Sequence, residues 1–207
     1  MKLRSPLTKA LGSAAGAVPD FILAGLLLWI WLHPLQSKTF GVNWAQSLIL
    51  LEFIIIHASG ILGGLIEQPF ARWKKIGMSF SLGAVYSVFA FFFGGWPGVQ
   101  AFWILCFNRV LPVFTGRILS EEETREATSV YVTAAVFYLL AVIPSAIIYV
   151  PAFGVTPEVI KALAFTGDAP WNLEPQRIMA AGVLYYTLHA LNKLYPAYEM
   201  MRGNKVS

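Results

Sequence analysis

Charge is scarce in this 207-residue chain: Asp, Glu, Lys and Arg together make up only 13% of it. Soluble domains average near 25% charged, so a water-exposed globule of ordinary composition is excluded. Cysteine is scarcer still. Cys106 stands alone, which rules out an intramolecular disulfide and a zinc site built from cysteines. The three histidines form no His-Glu-x-x-His pair, and no phosphate-binding loop or dinucleotide-binding glycine pattern occurs. Internal repeats and low-complexity tracts are also lacking. The net charge of +4 does not point to nucleic acid, because the bases sit in short clusters beside apolar segments rather than along one face.

What the chain has instead is apolar length. Hydrophobic residues make up 57% of it, and its mean hydropathy is +0.63. The clearest apolar runs are Val18–Leu32, Trp44–Ile66, Met78–Phe93 and Ser129–Val150. A helix of roughly 20 apolar residues crosses a hydrocarbon core about 30 Å thick. The expected fold is therefore all-α, a polytopic membrane helix bundle forming one integral membrane domain over residues 1–207. Six spans are expected, at about 18–33, 44–66, 76–93, 99–114, 129–150 and 177–195; the count falls to four if the third and fourth form a re-entrant hairpin.

Local signals set the boundaries. Pro19 suits a first helical turn, and Asp20 suits the positive end of the helix dipole. Lys2, Arg4 and Lys9 ahead of an apolar stretch resemble a signal peptide, yet no small-residue cleavage site follows, so a retained first helix is expected. Gly94-Gly95-Trp96-Pro97-Gly98 is a strong turn. Ser120-Glu121-Glu122-Glu123 matches the capping box and starts a helix that Pro144 is expected to kink. Residues 151–176 form an extracytoplasmic loop, with a short surface helix over Pro157–Phe165. Pro196 is expected to stop the last span.

Basic residues orient the bundle. Lys2, Arg4, Lys9, Arg72, Lys74, Lys75, Arg117, Arg125, Arg202 and Lys205 fall on one side, and Lys38, Lys161 and Arg177 on the other. Ten against three places both termini in the cytoplasm, with the cell membrane as the location. Trp44, Trp96, Tyr149 and Trp171 then mark the outer interface, and Trp73, Tyr195 and Tyr198 the inner one.

The even-numbered spans carry the polar residues. Glu52, His57 and Ser59 lie on the second, Asn108 and Arg109 on the fourth, and His189, Asn192 and Lys193 on the sixth. An ionisable group at mid-bilayer costs roughly 2.5–3.5 kcal/mol even on the lenient insertion scale, so such groups turn inward or line a wet cavity. His57 lies 13 residues past Trp44, Arg109 lies 10 past Val99, and His189 lies 12 past Arg177. At about 1.5 Å per residue these depths agree to within about one turn. They define a candidate polar layer, in which Glu52 is placed to pair with Arg109. Gly60 and Gly64 form a small-xxx-small pattern beside His57, which lets helices approach closely.

Two protease comparisons fail at the residue level. His57-Ala58-Ser59-Gly60 approaches the Gly-x-Ser-Gly motif of rhomboid-type serine proteases, but lacks the leading glycine and lies on the second span rather than the fourth. Phe53-Ile54-Ile55-Ile56-His57 satisfies one element of the CAAX-type membrane proteases. Glu121–Arg125 and His189-Ala190-Leu191-Asn192 each miss the others by one residue, which turns a helix face by about 100°.

The chain is thus expected to be a structural or accessory subunit that binds another membrane protein, or itself, within the lipid bilayer. A small transporter or proton-linked channel using the polar layer is the alternative. No cofactor or metal is expected; haem b held by His57 and His189 is a third reading of the same histidines.

Overall fold

The computed structural model describes residues 6–36, 41–68, 70–115, 120–163 and 170–203. Every regular element among them is helical: α1 (Pro6–Leu32), α2 (Val42–Glu67), α3 (Arg72–Thr115), α4 (Glu121–Ile147), α5 (Pro157–Ala162), α6 (Pro170–Leu173) and α7 (Pro175–Gly203). Four stretches are long and apolar enough to cross a membrane: Ala14–Leu32, Val42–Leu65, Arg72–Trp96 and Glu121–Ile147. The protein is membrane-embedded.

α1 begins at Pro6, not at Pro19, which lies inside the helix. Pro6 takes the first turn, where a missing N–H is harmless, and the alanine-rich stretch after it propagates the helix. Asp20 therefore lies nearly four turns in, far from the dipole end expected for it. α7 likewise runs through Pro196 to Gly203, because one proline removes one hydrogen bond while good helix formers follow it.

α3 is two helical limbs rather than one rod. Gly95, at φ 59° and ψ −154°, interrupts it. In a straight helix Ser87 and Trp103 would lie about 24 Å apart. Instead the Trp103 indole Nε1–H donates to Ser87 Oγ at 2.8 Å, and Tyr86 stacks on Phe102 with ring centroids 6.2 Å apart. The chain reverses at Gly95, where the positive φ suits glycine, and residues 96–115 return along 72–94. The two separate segments expected from the turn sequence are the two limbs of this hairpin.

The capping box is formed. Glu123 N–H donates to Ser120 Oγ at 3.2 Å, and Ser120 N–H donates to the Glu123 carboxylate at 2.9 Å. In the following loop Thr156 caps α5 through Val159 N–H. α5 ends at Ala162, α6 is an additional short helix, and residues 164–169 lie outside the described set.

The chain divides into two compact units: residues 1–45 with 137–207, and residues 46–136. In the second, Leu51, Ile54, Ala58 and Leu62 of α2 pack with Ala90, Phe102 and Cys106 of the hairpin. In the first, α1 and α7 pack along one another. Among the buried residues of α1, Ala17, Asp20, Ala24, Leu27 and Trp31 recur at intervals of three and four, with Ile30 buried beside them, the seam of a close helix pair.

Candidate functional sites

In the unit formed by residues 46–136, the α2 side chains divide by face. Ser59 is buried. Gly60 lies under the Tyr131 ring of α4, and a Cβ there would collide with that ring. Gly63 and Gly64 have open space where a Cβ would go. Of the expected glycine pair, Gly60 is thus used within the chain and Gly64 is not. His57 is exposed, not turned into the core as expected. Its Nδ1 bonds the Phe53 carbonyl at 2.8 Å, and its ring lies 3.9 Å from that of Phe53. Phe53 (43% exposed) and Ile61 (49% exposed) flank it. Phe53, His57, Ile61 and Gly64 therefore form one outward stripe at helical spacing.

Glu52 is half-buried on the same helix. Asn108 and Arg109 lie on the second limb of α3, but their side chains fall outside the described residues, as does any pairing of Arg109 with Glu52.

In the other unit, Lys193 Nζ lies 2.6 Å from Asp20 Oδ2. Asp20 is only 9% exposed, whereas the Lys193 side chain is 43% exposed and holds its ammonium on a long apolar stem. His189 lies one turn before Lys193 on α7. Its ring is walled by Tyr185 at 4.6 Å and by Phe137 of α4 at 5.3 Å, both edge-on. Tyr138 and Tyr186 pack in turn on Tyr185. His189 Nε2 is buried and makes no hydrogen bond among the described residues. Asn192 is exposed.

His57 belongs to one unit, and His189 with Lys193 to the other, where their charged neighbour is Asp20. Residue order suggests only a dipole role for Asp20; its place in the buried seam of α1 appears only in the structure. Arg177 was read as a topology marker. In the structure its Nη1 donates to the carbonyls of Ser145, Ala146 and Ile148 at 3.1, 2.9 and 3.2 Å. It thereby caps the end of α4, while Glu174 holds its Nε at 2.5 Å.

Among the described residues, no group of three or more His, Cys, Asp or Glu side chains is placed to hold a metal ion. No protein-family model, curated protein or solved structure matches the chain.

Proposed function

We propose that this is a six-span protein of the cell membrane with both termini cytoplasmic, and that it serves as an accessory subunit. In this reading α2 docks against a transmembrane helix of another membrane protein. Four apolar helices, the reversal at Gly95 and the return of α7 along α1 support six crossings. The basic residues clustered on one side support the orientation. Exposed Trp96, Tyr149 and Trp171 suit one interface, and exposed Trp73, Tyr195 and Tyr198 the other.

One observation carries the docking reading: the outward position of His57 at mid-helix. An imidazole facing acyl chains is costly, and a protein neighbour removes that cost by supplying a hydrogen-bond partner for the ring. Gly64 lies two turns further along the same stripe and would let a second backbone approach closely.

A photo-crosslinking residue at Ile61, in native membranes, tests this. The expected product is one discrete adduct to a different membrane protein, lost in His57→Leu and not formed from Val85 on α3. An adduct of twice the chain's mass would identify a second copy as the partner. Crosslinking to lipid alone from both positions would overturn the reading.

A small proton-linked transporter is a second reading, favoured by the Asp20–Lys193 pair with His189 beside it. Proton flux in vesicles that survives Asp20→Asn and His189→Gln would remove it. Haem b on the histidines has a direct test, since a Soret band in the purified protein would be required.

A further inference from the structure

We propose that Asp20, His189 and Lys193 form an intramembrane proton-binding site, with His189 Nε2 as the atom that takes the proton. The inference stands apart from docking at α2 and deepens the proton-linked reading.

The site is built from two helices that pack along one another. From α1, Asp20 brings a carboxylate that is almost fully buried. From α7, Lys193 neutralises it at 2.6 Å, and His189 lies one turn away on the same face. From α4, Phe137 closes the imidazole edge-on, with Tyr138 behind Tyr185. Among the described residues, the titratable and charged groups placed about the ring are Asp20, Lys193 and Tyr185, with Tyr138 and Tyr186 packed on Tyr185. Asp20 and Lys193 are the charges within electrostatic reach of the imidazole.

A histidine kept only for packing would be expected to satisfy its buried ring nitrogens. Here Nε2 is enclosed and finds no hydrogen-bond partner among the described residues. The ligand chemistry follows from what surrounds it. A metal ion would want more ligands than the described residues bring together, and an anion would meet the Asp20 carboxylate. A proton needs only one lone pair. With carboxylate, ammonium and neutral imidazole the triad carries no net charge; a proton from water added at Nε2 raises it to one positive charge. The carboxylate then has two cations to balance. Lys193, half-exposed on a flexible stem, is the one able to withdraw toward water, leaving Asp20 to the imidazolium. Proton binding would thereby be coupled to the contact between α1 and α7.

The test is histidine-selective 15N NMR of the full chain in lipid nanodiscs, with the His189 signal assigned through His189→Gln. The expected result is a His189 titration between about pH 4 and pH 9. Asp20→Asn and Lys193→Gln should displace its midpoint in opposite directions, each by about one unit or more. Lys193→Arg should keep the native midpoint. If Asp20→Asn does not fold, Lys193→Gln decides alone, since its amide, unlike a Met side chain, can still donate a hydrogen bond to Asp20. A His189 signal that does not titrate, or a midpoint indifferent to Lys193→Gln, would overturn the proposal. His57→Leu, which should abolish docking at α2, should leave this titration intact.

Discussion

Lys193 reaches across from α7 to Asp20 on α1, closing to 2.6 Å, and the side chain it meets is 12% exposed. Removing one member of a buried pair strands the other charge, typically at about 3–5 kcal/mol, whereas replacing both with apolar groups is often neutral. Lys193→Met alone should therefore destabilise the protein by about 3 kcal/mol, at the low end because the lysine is half-exposed. Asp20→Leu/Lys193→Met together should recover most of that loss. Thermal denaturation in a single detergent, followed by size-exclusion chromatography, measures both. Equal losses in the single and double variants would contradict the pairing.

The α3 hairpin depends on a close approach. Gly83 lies against the Trp103 ring, with no room for a Cβ. Ser87 donates to the Gly83 carbonyl at 2.7 Å and accepts from the indole at 2.8 Å. Gly83→Val should cost about 1–3 kcal/mol through overpacking. Ser87→Ala should cost about 1–3 kcal/mol by leaving the indole N–H unsatisfied. Trp103→Phe should mask most of the Ser87→Ala effect, which a double-mutant cycle on thermal stability reads directly.

Arg177 caps α4 through three carbonyls at once. Arg177→Gln should speed amide exchange over residues 144–149 and lower stability by about 1.5–3 kcal/mol, the range for hydrogen bonds to a charged group. Arg177→Lys should rescue little, since an ammonium cannot reproduce the planar fork. Hydrogen–deuterium exchange separates this capping role from a role in topology alone.

Glu158, at the start of α5, titrates below its ordinary range. The chief cause is a hydrogen bond from Thr156, then one from its own backbone N–H. A carboxylate whose folded pKa is depressed contributes above its unfolded value, and that contribution is lost as pH falls through the folded value. Acidification below the usual carboxylate range should therefore loosen the first turn of α5. Thr156→Ala should move the Glu158 midpoint upward, as read by NMR of its side-chain carboxyl.

Much of the fold was legible in residue order because its causes are local. Apolar length marked α2 and α4. Gly94-Gly95-Trp96-Pro97 marked the reversal, and Ser120 with Glu123 marked a helix start that the structure forms hydrogen bond by hydrogen bond. Proline misled twice. Pro19 and Pro196 read as boundaries, but the one backbone hydrogen bond each removes does not end the helix that contains it. The candidate sites were less legible. His189 and Lys193 were found through the cost of polar groups in lipid, whereas the facing of His57 was not, since one imidazole on an apolar helix is compatible with either face.

The sequence alone determined that this chain carries helices long and apolar enough to cross a membrane, and which residues form their middles though not all of their ends, because hydrophobic transfer energy and turn chemistry act over a few neighbouring residues. Only the tertiary structure decided that Asp20 meets Lys193, that Trp103 folds back onto Ser87, and that His57 looks outward. Those relationships join residues 16 to 173 positions apart or depend on which face of a helix is covered, and periodicity within one helix carries no information about its neighbour.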